Sequence, residues 1–168
     1  MSKDAPRVIA PPPIIFTLAF ILGLAVSHGM GWRWAAKGWE WGLGGLIAAP
    51  GFALALWSAV TLLRAGTNVQ THRPVEAIVR AGPYARCRNP IYIALLAVFF
   101  GAGLIARAPG LLALTPLIAL ILHYGVVRPE EAYLREKFGA AYEDYAKSTP
   151  RWAVIMRAKP TPTSKRSD

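Results

Sequence analysis

Residues 89–127 read NPIYIALLAVFFGAGLIARAPGLLALTPLIALILHYGVV, a stretch in which Arg107 is the only charged side chain. Crossing the hydrocarbon core of a bilayer takes roughly 20 mainly apolar residues, with every backbone polar group satisfied inside the segment. Two such runs lie on either side of Arg107-Ala108-Pro109-Gly110, a connection built from turn residues. The stretch therefore predicts an antiparallel hairpin of two membrane helices. Asn89-Pro90 marks its start, as an N-cap residue followed by proline at the first helical position.

The same composition extends outward. Residues 8–32 and 41–63 also lack Asp, Glu, Lys and Arg, and the whole chain of 168 residues is 54% hydrophobic and 17% charged. Its mean hydropathy of +0.35 sets a disordered chain aside and argues against a soluble fold. The prediction is an all-α polytopic membrane protein with four transmembrane helices, near residues 12–28, 42–63, 91–106 and 110–127.

The net charge of +10 has an explanation in that topology. Lys3 and Arg7, five arginines between the second and third spans, and nine basic residues after the fourth share one side, 16 against Arg33, Lys37 and Arg107 on the other. This asymmetry places both termini in the cytoplasm, and nucleic acid is not needed as a partner. Trp32, Trp34, Trp39 and Trp41 suit the headgroup layer of the opposite face. A cleaved signal peptide is set aside, because the first apolar run exceeds the 7–15 residues usual for such a segment. Cys87 stands alone, so neither an internal disulfide nor a Cys-based metal site is expected.

Residues 1–158 read as one domain and the Pro-, Thr-, Ser- and Lys-rich residues 159–168 as a disordered cytoplasmic tail. Pro11-Pro12-Pro13 is the other biased segment. After Arg128-Pro129-Glu130-Glu131 an amphipathic cytoplasmic helix is predicted, with Leu134, Phe138, Tyr142 and Tyr145 on its apolar stripe. That stripe can lie on the membrane or fold back over the spans.

Two constellations have the residue types for chemistry. The first is Gly82-Pro83-Tyr84-Ala85-Arg86-Cys87-Arg88-Asn89-Pro90-Ile91-Tyr92. On its own it also reads as a turn, two headgroup-binding arginines and a capped helix. The second is Glu130-Glu131 at a helix start, where carboxylates meet the positive dipole end and Glu131 has an ordinary i,i+4 partner in Arg135.

In this order, over residues 68–152, the two constellations resemble the integral-membrane methyltransferases that include isoprenylcysteine carboxyl methyltransferases and phospholipid methyltransferases. The motifs are Arg88-Asn89-Pro90-Ile91-Tyr92 before a hairpin of spans, then Glu130-Glu131-Ala132-Tyr133-Leu134. Phe138-Gly139-Ala140-Ala141-Tyr142-Glu143-Asp144-Tyr145 and Pro150-Arg151 follow. The resemblance implies S-adenosylmethionine held by Gln70, Glu76-Ala77-Ile78-Val79, Tyr84, Asn89-Pro90-Ile91-Tyr92 and Glu130. No glycine fingerprint of a dinucleotide-binding sheet is present, in keeping with that implication. A carboxylate such as Glu130 suits the cofactor's ammonium, and Tyr84 and Tyr92 suit its adenine or its sulfonium.

The chain departs from the farnesylcysteine enzymes at Asn89, where they have His, and at Val126, where eukaryotic members place an arginine for substrate contact. Arg128 lies two residues beyond that position. His123 and Tyr124, polar groups at membrane depth, read either as substrate contacts or as a helix-packing hydrogen bond. His72 reads as solvated. Gly101-Ala102-Gly103 resembles a glycine pair of the phospholipid branch and equally reads as small residues for close helix packing. The expected activity is methyl transfer to a membrane-embedded or amphiphilic acceptor, hydrophobic because the site opens at membrane level. The alternatives are an NADPH-dependent enzyme of the sterol-reductase type, against which the acidic pair weighs, and a non-catalytic membrane scaffold.

Overall fold

The structure is a computed structural model that describes residues 6–31, 34, 37–67 and 75–152. Every regular element among them is helical: α1 (Pro12–Gly29), α2 (Trp39–Arg64), a 3₁₀ turn (Gly82–Ala85), α3 (Pro90–Ile105) and α4 (Pro109–Leu122). A π-turn (His123–Val127) joins α4 to α5 (Arg128–Phe138), and α6 (Ala140–Ser148) follows. α2 packs on α3, α3 on α4, and α4 on α1. Three helices are long and apolar enough to cross a membrane: Pro12–Gly29, Trp39–Arg64 and the continuous Pro109–Phe138. The apolar α3 is shorter, at 16 residues.

α1 and α2 hide small residues and display large ones, the inverse of helices in a soluble bundle, whereas α3 and α4 bury Phe99, Leu111, Ile118 and Leu122 in a common core. The buried positions of α1 include Gly23 and Ser27, and those of α2 include Gly44, Gly51 and Ser58. Ile14, Leu18, Ile21 and Leu22 on α1 and Leu46, Phe52, Leu56 and Trp57 on α2 face outward. Without a hydrophobic drive between helices in lipid, association rests on close backbone approach, which small residues permit. A Cβ on Gly101 would lie 2.6 Å from the Gly44 carbonyl oxygen and 2.8 Å from the Ala48 Cβ, so the α2–α3 seam tolerates nothing larger there. Gly103 faces the other way, toward Leu111 and Leu112 of α4. The two glycines thus serve packing on opposite sides of α3.

The hairpin turn closes as a Schellman motif. Arg107 takes the left-handed conformation (φ 52°), its N–H donates to the Leu104 carbonyl at 2.9 Å, and the Ala108 N–H donates to Gly103 at 3.0 Å. Pro109 then opens α4, whose Gly110 N–H donates to the Ser27 hydroxyl at 2.9 Å; that hydroxyl donates to the Gly23 carbonyl at 2.7 Å. One side chain thereby satisfies a free N–H at a helix start that lipid would leave bare.

Three expectations need correction. Asn89 occupies the N-cap position of α3 without capping it, because its amide instead donates to the Arg151 carbonyl at 3.1 Å. Glu130 and Glu131 are in the first turn of α5 but not at a free helix start, because the chain runs on without a break from α4 through the π-turn into α5. The predicted C-terminal helix is two helices, broken at Gly139 where φ is +51°. Gln70, His72, Trp32, Arg33 and residues 153–168 lie outside the described residues. The tight seam predicts that Gly101→Ala lowers stability by about 1–3 kcal/mol through overpacking. Thermal unfolding in detergent checks this, and an unchanged midpoint would contradict the seam.

Candidate functional site

The connection between α2 and α3 is held from both sides. On one side the Glu76 N–H donates to the Thr67 hydroxyl at 3.2 Å. Gly82, with φ +55°, sits so close to Thr61 that an added Cβ would lie 3.0 Å from its hydroxyl. On the other side α6 and the chain after it close over the loop. The Tyr145 hydroxyl donates to the Tyr84 carbonyl at 2.7 Å, the Arg88 N–H to Pro150 at 2.9 Å, and the Arg80 guanidinium to the Ala141 carbonyl. Cys87 is fully buried beneath this lid and its thiol is pushed up by burial, which leaves it a packing residue.

Between these parts and the inner turns of α3 and α5 lies a cleft of about 860 Å³, its open mouth included. Ala77, Ile78, Val79, Tyr84, Asn89, Ile91, Tyr92 and Glu130 line it together. Glu76 is exposed and does not line the cleft, and Pro90 is buried at the start of α3 behind it. His123, Tyr124 and Arg128 do not line it either. They form a cluster of their own, in which the Trp152 indole donates to His123 Nδ1 at 3.0 Å, Tyr124 meets His123 edge-on, and Arg128 lies 5.6 Å over the Tyr124 ring.

The adjacent carboxylates have opposite surroundings. Glu131 is buried and meets three cations: Arg151 through a two-pronged contact at 2.8 and 2.7 Å, Arg88 at 3.0 Å and Arg135 at 3.4 Å. Glu130 faces the cleft and accepts from the Tyr92 hydroxyl at 2.9 and 3.0 Å. Among the described residues it has no cationic partner. The Tyr84 hydroxyl is buried in the same wall without a partner among the described residues, and burial pushes its phenol well above the usual range. Arg88 and Glu131 also line the cleft but are paired with each other at 3.0 Å, so a ligand there meets Glu130 as the carboxylate without a cation, together with uncharged phenols and a mainly apolar remainder, a setting suited to a cation with an attached aromatic or apolar body.

The sequence profile of the phospholipid methyltransferase family matches residues 39–141. The chain belongs to this family. Over 78 residues it is 32% identical to the nickel-cobalt-cadmium resistance protein NccN of Alcaligenes xylosoxydans xylosoxydans. It is 30% identical over 78 residues to the cobalt-zinc-cadmium resistance protein CzcN of Cupriavidus metallidurans. Each match takes in 46% of this chain and 36% of the relative's length. No solved structure gives a significant match. The family is one of methyltransferases, and the described residues include helices long and apolar enough to cross a membrane.

Several residues of this family member's cleft were not singled out from sequence. Arg88 and Arg151 sat inside quoted motifs, but nothing in linear order shows that both reach Glu131 from segments on either side of it. Tyr142 and Tyr145 line the cleft, in keeping with the fold-back of the aromatic stripe. Pro6, Leu62 and Thr67 carried no signal. Because Glu131 offsets three guanidinium groups, of which Arg88 is nearly buried while Arg135 and Arg151 keep access to water, Glu131→Gln should cost roughly 1.5–3 kcal/mol. Denaturant or thermal unfolding checks this, and a loss below about 1 kcal/mol would show the cluster to be solvated.

Proposed function

We propose that this protein transfers a methyl group from S-adenosylmethionine to a membrane-embedded or amphiphilic acceptor, such as an isoprenylcysteine-type carboxylate or a lipid. The observation that carries this reading is Glu130, a carboxylate turned into an apolar and phenolic cleft with no cation to offset it among the described residues. S-adenosylmethionine supplies, when bound, a methyl group activated on sulfonium. Glu130 accepts from the cofactor's ammonium, and the Tyr92 hydroxyl holds the carboxylate in place. Tyr84 offers a ring face and an unpartnered hydroxyl, while Ile78, Val79 and Ile91 exclude water. Gln70 and Glu76 complete the set as residues of the connection.

Displacement at a methyl carbon needs alignment and desolvation, and a carboxylate or thiolate acceptor needs no base. His123, Tyr124 and Arg128, outside the cleft, are on this reading contacts for the acceptor's polar end. An NADPH-type cofactor requires free cations for its extra phosphate, whereas Arg88, Arg135 and Arg151 already converge on Glu131. The two relatives are named for metal resistance. On this reading any such role here runs through the modified membrane acceptor.

We further propose that α3 completes a set of four spans, with α5 and α6 at the cytoplasmic surface and both termini cytoplasmic, supported by the 16-to-3 distribution of basic residues. A reporter fused to the C-terminus should be active only in its cytoplasmic form, and activity of an external reporter would reverse the topology. For the cofactor, purified protein should bind S-adenosylmethionine in preference to NADPH. Glu130→Gln keeps an oxygen for Tyr92 and removes the charge, so the dissociation constant should rise about 10- to 150-fold. Titration with thermal unfolding as control checks this, and equal affinity in a folded variant would remove Glu130 from the site.

A further inference from the structure

The N-terminal segment before α1 has a place in the cleft that the family motifs do not account for. Pro6 is buried and lines the cleft, Val8 packs on the core between the helices, and the Ile9 N–H donates to the Gly125 carbonyl at 3.0 Å. Gly125 lies in the π-turn, and its α-helical donor would be residue 129. That residue is Pro129, which has no N–H, so the α-helical bond cannot form there and Ile9 donates to the carbonyl from outside the helix. A Cβ on Gly125 would lie 2.4, 2.7 and 3.3 Å from Cδ1, Cγ1 and Cγ2 of Ile9, so either the exposed Ile9 side chain turns aside or the segment that carries it shifts. Pro11, extended at φ −58° and ψ 133°, and Pro12-Pro13 in the first turn of α1 stiffen the tether behind this contact.

We infer that the segment around Pro6 to Ile9 is a strap that fastens on Gly125 and positions the cleft, so that Ile9 and Gly125 are positioning residues for the ligand. The strap acts at two points. Pro6 supplies part of the cleft wall, and the clasp on Gly125 steadies the helix turn that leads, five residues on, to Glu130. The inference rests on the cofactor reading above for the identity of the ligand, but the closing of the wall is independent of it.

Gly125→Ala pushes on Ile9 without touching the cleft residues, and Ile9→Ala removes all three of the clashing atoms. In the full-length protein, Gly125→Ala should raise the S-adenosylmethionine dissociation constant by at least about threefold, with the double variant restored toward wild type, as expected for directly coupled residues. A purely structural role would lower the unfolding midpoint and leave the affinity of folded protein unmoved. In ligand-free protein, a Val79→Cys thiol should react with a soluble maleimide at least about threefold faster in the Gly125→Ala background, and the second substitution should reverse this. Equal labelling rates with and without Gly125→Ala overturn the strap. If the wild type binds no S-adenosylmethionine, the cofactor reading falls, and labelling alone upholds or overturns the strap. Unchanged affinity alongside faster labelling overturns its role in positioning the ligand.

Discussion

One buried carboxylate holds the working end of the molecule together. Glu131 draws Arg88 from the loop before α3, Arg135 from its own helix and Arg151 from the chain beyond α6. Such a cluster is weak as a source of net stability, because desolvation offsets most of the attraction. Its value is geometric. Arg88 belongs to the loop that also places Asn89 and Tyr92, and Arg151 brings its own backbone carbonyl to the Asn89 amide and the Cys87 thiol. With the cluster formed, the end of the chain lies over the loop and the cleft has a closed side.

The membrane part of the fold and the cleft obey different rules that meet at α3. Toward the spans, Gly101 and Gly103 let α2 and α4 approach on opposite sides, and the large side chains of α1 and α2 are left for lipid. Toward the loop, α3 turns polar at Tyr92 and Asn89, where side chains hydrogen-bond to α5 and to the chain beyond α6. The helix that is fixed most tightly by its neighbours in the seam therefore also carries the cleft's inner wall.

The helices were legible because their signal is compositional: uncharged runs of the right length, with Pro109 at the α3–α4 hairpin. What could not be read was how helices end. Asn89 next to Pro90 has the chemistry of a cap, yet a carbonyl 62 residues away takes its amide. Pro129 has the chemistry of a helix start, yet the chain runs on into it through the π-turn, and Gly139 makes the real break. In the site, eight of the residues that the motifs singled out come together in the cleft, because they cluster in sequence. Arg151 and Pro6 escaped, since their roles depend on long-range closure. His123, Tyr124 and Arg128 do not line the cleft and form a separate cluster that Trp152 joins through His123.

The different surroundings of Glu130 and Glu131 follow from helix geometry. Adjacent residues on an α-helix point about 100° apart, so two neighbouring carboxylates at one cleft meet different partners. Which of them meets the arginines is a matter of register. The five-residue π-turn between α4 and α5 holds one more residue than an α-helical turn and so rotates everything after it by about that same angle. Without it, the packing of α4 against α1 and α3 would send a different face of α5 toward Tyr92. The π-turn is therefore the device by which an acidic pair, written side by side at the cleft, is divided into one residue paired with the arginines and one that meets Tyr92 and no cation among the described residues.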